Sequence, residues 1–184
     1  MCIRDRTYDG QGRFRSITRS GASVVQEEIL DGERAVRKGP AGDEEILDAD
    51  LGELMFNGHA VPEVQYATTT EKIILAGKTS IDGKPVHKVA VMTFYGTSVG
   101  DYFDASTGLK MRRVEEKYLN GRTYTITTDY SDYQVAGGVL FPRTIAQSGG
   151  PMGELVLTVK SVVTGAPLNP GYFATGLPPK IPEE

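Results

Sequence analysis

The chain reads as a mainly β protein: a strongly curved antiparallel sheet with one or a few short helices. Two observations predict this. Tight-turn signals recur along most of its 184 residues, and the stretches between them are rich in β-branched and aromatic residues, several with period-two alternation. The turn signals are Asp9-Gly10, Asp31-Gly32, Asp82-Gly83, Thr107-Gly108, Asn120-Gly121, Gly137-Gly138 and Gly149-Gly150-Pro151. Asp-Gly and Asn-Gly suit two-residue hairpin turns because both central residues need φ > 0, which glycine and asparagine tolerate at little steric cost.

Less regular strands are expected over 13–19, 23–30, 34–38, 72–80, 84–92, 101–103, 110–118 and 139–146, and their phase slips point to bulges or two-sided burial. Between the third and fourth of these, DADLGELMF predicts one short helix. Asp50 is placed as N-cap, Glu53 as its capping-box partner, and Leu51, Leu54 and Met55 stand at helical spacing. HAVPEV follows as a loop or extended entry because of Pro62. The clearest strand is 122–130, with Tyr124, Ile126 and Tyr130 on one side and Thr123, Thr125, Thr127 and Asp129 on the other. A second clear strand, 154–163, puts Leu155, Leu157, Val159 and Val163 on one face and Glu154, Thr158 and Lys160 on the other. From Ala166 the prolines of PLNPGYFATGLPPKIPEE block regular pairing, so the chain closes as a loop anchored by Tyr172 and Phe173, then a tail over 176–184.

This length supports one sizeable core, so residues 7–175 are taken as a single domain. The opening MCIRDR, residues 1–6, lacks the apolar core and cleavage site of a signal peptide and resembles a translated adapter scar. The chain is therefore expected to be an N-terminally truncated fragment, with an exposed sheet edge where preceding strands belonged.

Acidic residues outnumber basic ones and the formal net charge is -4, so no global basic field gathers phosphate backbones and nucleic acid is excluded as a partner. No apolar run is long enough for a transmembrane helix; GELVLTVKSVV is interrupted by Glu154 and Lys160. The sole cysteine, Cys2, allows neither an internal disulfide nor a cysteine-based zinc site. His59 and His87 stand apart and outside any HExxH or HxH pattern, so no metal and no cofactor is expected. With no nucleophilic elbow, phosphate-binding loop or dinucleotide fingerprint, the chain is read as non-catalytic.

Asp101 and Asp104 in GDYFDASTGL are assigned to turn formation, and Asp129 and Asp132 to the end of a strand. Lys110, Arg112, Arg113 and Lys117, interleaved with Glu115 and Glu116, read as a solvated strand face. The aromatic set Tyr95, Tyr102, Phe103, Tyr118, Tyr124, Tyr130, Tyr133 and Phe141 either fills a core or lines a groove for a lipid chain.

Taken in order, IDGKPVHKV, GDYFDASTGLKMRRVE and NGRTYTITTDYSDYQVAGGVLFPRTI, then an apolar strand and PGYF, resemble the C-terminal half of LolA-like lipoprotein-sorting and lipid-carrier proteins. ILDGERAVRKG followed by DLGEL resembles that family's earlier strand and helix more weakly. The resemblance implies a half-barrel of antiparallel strands around helices, a hydrophobic cavity for acyl chains, and work in the periplasm or cell envelope of a Gram-negative bacterium. It implies an acyl chain or lipoprotein anchor as partner. The apolar lining would be Tyr124, Ile126, Leu155, Leu157 and Val159, the cleanest apolar faces in the chain. The same segments also resemble a non-catalytic C-terminal domain of some bacterial insulinase-type zinc peptidases, which implies instead an accessory domain behind an upstream peptidase.

Overall fold

The computed structural model describes residues 2–94, 96–119, 121–151 and 153–178. Strands dominate, in two antiparallel sheets, neither closed into a barrel. The first is ordered β1 (Cys2–Tyr8), β2 (Phe14–Ser20), β3 (Ser23–Leu30), β4 (Ala35–Gly39) and β5 (Gly42–Ile46). The second contains β6 (Thr70–Ile81), β7 (Lys84–Thr93), β8 (Ser98–Asp104), β9 (Lys110–Leu119), β10 (Arg122–Ala136), β11 (Val139–Gly150) and β12 (Gly153–Thr158), again each beside its sequence neighbour. The chain divides into two compact units. One comprises Met1–Thr69 with the segment from Leu168 onward, the other Thr70–Pro167.

In the first unit the sheet is covered on both faces. One cross-strand row, Tyr8–Phe14–Leu30–Ala35–Ile46, packs against Leu51, Leu54 and Met55 of helix α1 (Asp48–Asn57). On the reverse face, Ile29 and Val36 meet Phe173, with Tyr172 and Leu177 alongside. The C-terminal segment is tied down by polar contacts as well. Arg15 donates to the Tyr172 carbonyl (3.2 Å), Arg34 to the Pro178 carbonyl (2.5 Å), and the Arg13 and Arg15 guanidinium groups lie over the Phe173 and Tyr172 rings. Tyr172 and Phe173 thus anchor the segment, as their place among the prolines predicts.

Three local expectations change. The helix begins at Asp48, and Leu47, not Asp50, is its N-cap; Asp48 and Asp50 instead occupy the first turn, where carboxylates favour the positive end of the helix dipole. HAVPEV is not a simple loop. Pro62 opens a 3₁₀ turn, Pro62–Gln65, because a first-turn residue has no use for the missing N–H, and a single helical turn, α2 (Tyr66–Thr69), follows. Two strands, β1 and β5, were not expected. Cys2–Arg6, read as a scar, pairs with β2, and the polar GDEEI of β5 pairs with β4 through Ala35–Ile46 and Val36–Glu45.

Hairpin turns fall where the dipeptides predict. Asp82 and Gly83 both have positive φ (49° and 77°), the conformation a two-residue turn between β6 and β7 requires. Met1, Tyr95, Asn120 of the Asn120-Gly121 signal, and the tail beyond Pro178 lie outside the described residues.

Candidate functional site

The ladder registers of the second unit decide which side chains share a face. Ile126 on β10 stands opposite Glu115, which stands opposite Val99, Val91 and Ile73 in turn across β9, β8, β7 and β6. The next row is Leu75, Val89, Asp101, Arg113, Thr128, Gln147 and Leu155. A third begins Lys78, His87, Phe103, Lys110 and ends with Tyr130, Ile145 and Leu157. These rows lie on one face, since directly opposed residues in an antiparallel ladder point the same way.

The five residues proposed from the sequence, Tyr124, Ile126, Leu155, Leu157 and Val159, all fall on this face. Tyr124 and Ile126 alternate along β10, Leu155 and Leu157 along β12, and the ladder continues one step past β12, where the Val159 N–H donates to the Arg143 carbonyl (2.8 Å). Ile126 is buried, Tyr124, Leu157 and Val159 are half-buried, and Leu155 is 37% exposed. Beyond Val159 the alternation persists to Val163, but pairing does not. A period-two pattern makes a strand only where a neighbour accepts its backbone hydrogen bonds.

Gly149 holds the backbone close at this corner. A Cβ there would stand 2.1 Å from the Thr125 carbonyl oxygen, and its φ is +82°, so only glycine fits between β10 and β11. The neighbouring Gly150 sits beside Ile126.

The middle of the same face is charged, contrary to the sequence reading. Asp101 belongs to β8, not to a turn. It is fully buried, and Arg113 binds it with two parallel hydrogen bonds, Nε to Oδ1 at 2.8 Å and Nη2 to Oδ2 at 2.9 Å. Lys110 is also buried, its ammonium 4.5 Å from the centroid of the Tyr130 ring, and the Tyr133 hydroxyl donates to the Lys110 carbonyl (2.7 Å). The run 110–117 is therefore no uniform solvated face. Strict alternation would set Lys110 with Arg112. A register shift at Tyr102/Phe103 skips Met111 and turns Lys110 to the side of Arg113, while Arg112 pairs with Asp129 on the opposite face.

Asp104 does what the sequence assigned. Its Oδ1 accepts from the Ser106 hydroxyl and from the Ser106 and Thr107 amides, closing the turn before β9. The hydroxyl of Ser106, then these amides, favour the ionised form and hold the carboxyl down at about 2. The aromatic set divides between faces: Phe103, Tyr124, Tyr130 and Phe141 on the candidate face, Tyr102, Tyr118 and Tyr133 on the other. His87 is on the candidate face, and its Nδ1 is buried without a hydrogen-bond partner among the described residues. His59 belongs to the first unit, where burial lowers its pKa against the opposing influence of Asp9. Among the described residues no group of three or more His, Cys, Asp or Glu side chains is placed to hold a metal ion.

Comparison with known proteins rests on this architecture. No protein-family model and no curated protein matches the chain. Three solved structures do. A LolA superfamily protein from Nitrosomonas europaea is 14% identical, with a TM-score of 0.56 over 82% of this chain and 71% of that one. An outer membrane lipoprotein-sorting protein domain from Vibrio parahaemolyticus is 10% identical, with a TM-score of 0.62 over 93% and 80%. The fold is LolA-like. A DUF1329 family protein from Desulfovibrio piger, 12% identical, shares it with a TM-score of 0.62 over 92% of this chain and 80% of its own. At these identities the likeness establishes the LolA-like fold, and the face described above must carry any functional argument by itself.

Sequence reasoning missed Asp101, Arg113, Lys110 and His87 as members of this face. A usable signal was present in the spacing: Asp101 and Arg113 flank the Thr107-Gly108 turn of a predicted hairpin, at positions where an opposite-charge pair fits the register.

Proposed function

We propose that the chain is a non-catalytic lipid-binding module that shelters an acyl chain, or the acylated anchor of a lipoprotein, on the face carrying Tyr124, Ile126, Leu155, Leu157 and Val159. The observation that supports this reading most directly is their convergence from β10 and the run through β12 onto one side of the sheet, with Leu155 still accessible. The LolA-like fold adds to it, because one structure that shares the fold is described as a lipoprotein-sorting domain. Burial alone can hold such a ligand. At about 0.8 kcal/mol per CH₂, a twelve-carbon chain gains roughly 9 kcal/mol before the entropy of association is subtracted. The working module in this proposal is residues 7–175, acting in the periplasm or cell envelope. The alternative role, an accessory domain of an envelope peptidase, is favoured by no specific observation.

The test is native mass spectrometry of the protein purified from a bacterial periplasm, before and after mild delipidation. A removable adduct of fatty-acid or phospholipid mass, lost in Leu157→Glu, is the expected result. A clean protein mass that takes up no added lipid would overturn the proposal.

A further inference from the structure

We infer that β12 is an interface between copies of this chain: two copies pair antiparallel along it, related by a twofold axis at Leu157, and join their seven-stranded sheets into one. This goes beyond the lipid-binding reading and does not depend on it.

β12 ends its sheet among the described residues, and the strand pattern in the sequence outruns it. Alternation continues to Val163, yet among the described residues no backbone pairing follows the bond from the Val159 N–H to the Arg143 carbonyl. That bond also fixes which way the backbone points. In an antiparallel strand the N–H and C=O of one residue point to the same side and those of the next to the other. The groups of Leu155, Leu157 and Val159 therefore face β11, and those of Glu154, Val156, Thr158 and, as the pattern continues, Lys160 face outward. All four of these outward residues are exposed, Val156 at 63%. Such an edge is a template for a further strand. The register shift at Gln147/Gly150 adds its extra residue to β11 and leaves β12 regular. The other margin of the sheet is built against strand addition: register shifts interrupt β6 at Thr70/Lys72 and Leu75/Gly77, and it carries Lys72 and Lys78.

The side chains of β12 select its own copy as the partner. With Leu157 opposite Leu157 of the second chain, Glu154 stands opposite Lys160, Leu155 opposite Val159 and Val156 opposite Thr158, and symmetry repeats each contact. The outward-facing residues form the hydrogen-bonded pairs. Leu155, Leu157 and Val159 fall between them as non-hydrogen-bonded pairs, where side chains approach most closely. Sliding the copies by two residues in either direction leaves both charged side chains opposite uncharged ones, so only this register pairs both. The twofold axis is normal to the sheet and keeps the candidate faces of the two copies on one side. Leu155, Leu157 and Val159 of both chains then meet in a single apolar strip, which continues the face carrying Tyr124 and Ile126.

Sedimentation velocity of the full chain over about 5–500 µM tests this, the range expected of an interface smaller than about 1,200 Å². Wild type is expected to pass from monomer to dimer as concentration rises. Glu154→Lys sets like charges opposite each other at both symmetric positions and should weaken the dimer about tenfold, and Lys160→Glu should do the same with the opposite sign. Both positions are exposed, so folding is expected to be unaffected. An equimolar mixture of the two variants should dimerise as wild type does, because a pair made of one chain of each restores opposite charges across both positions. A wild type that stays monomeric throughout, a dimer that the single substitutions leave unchanged, or variants that stay apart when mixed overturns the inference. So does open-ended assembly, because a twofold pairing closes at two chains.

Discussion

The two sheets of this protein solve the same problem differently. The five-stranded sheet buries an apolar row under α1 on one face and the adjacent pair Ile29 and Val36 under Phe173 on the other. Among the described residues the unit of the seven-stranded sheet contains no helix, and one of its most deeply buried side chains, together with Val91 and Val86, is a carboxylate, Asp101, held by Arg113. Apolar side chains remain accessible at its margins, Leu75 at 66% and Leu155 at 37%. The first arrangement maximises burial and specifies one packed state. The second trades some burial for a face with distinct chemical zones, which a binding surface needs and a core does not.

Four experiments probe this contrast. The largest effect is expected at the centre of the seven-stranded sheet. Asp101→Ala leaves the Arg113 guanidinium buried without its counter-charge and should destabilise the protein by about 4 kcal/mol in urea unfolding, whereas the double replacement Asp101→Leu with Arg113→Met should recover most of that loss. A single substitution costing under about 1 kcal/mol would mean that water reaches the pair. Next, Phe173→Ala removes the ring that covers Ile29 and Val36 and should cost about 3 kcal/mol, with faster proteolysis of the segment from Leu168 onward. If the segment stayed protected, the covering of that face would depend on Arg15 and Arg34 instead.

The third effect is smaller because the site is half open. Leu155→Ala should change stability by less than about 1 kcal/mol, since over a third of the side chain is already in water, and yet it should weaken lipid uptake. A core-sized loss of stability would place Leu155 in a filled interior and argue against an open face. The smallest effect is a titration. The Asp104 carboxyl should titrate at about 2 by NMR, and Ser106→Ala should move it up toward 3.8. Because its pKa is depressed in the folded state, the stability it contributes is present above pH 3.8 and is lost as pH falls through about 2. An unshifted pKa in the wild type would show that the turn does not hold the carboxylate.

Much of the fold was legible because it is local. Asp82-Gly83 marks its hairpin, the alternation of Tyr124 and Ile126 with Thr123 and Thr125 assigns the faces of β10, and Tyr172-Phe173 stands out as the only aromatic pair in a proline-rich ending. What escaped was non-local. β5 is too polar to announce itself, and it is a strand because β4 offers a free edge and Ile46 completes the core row. The charged members of the candidate face escaped for a related reason: one skipped residue at Met111 reverses the side on which Lys110 points, and no period-two count across 110–117 can register that.

By itself, then, the sequence determined a protein of antiparallel hairpins, the turns that join them, the apolar side of its two clearest strands and the aromatic anchor near its end, because each depends on residues within a few positions of one another. The tertiary structure alone decided that the strands divide into two sheets, that Phe173 closes the reverse face of the first, and that Asp101 and Arg113 are buried together in the second. Those outcomes depend on which distant segments exclude water from which side chains, and a buried charge is tolerated only where a partner from another strand arrives in register to meet it.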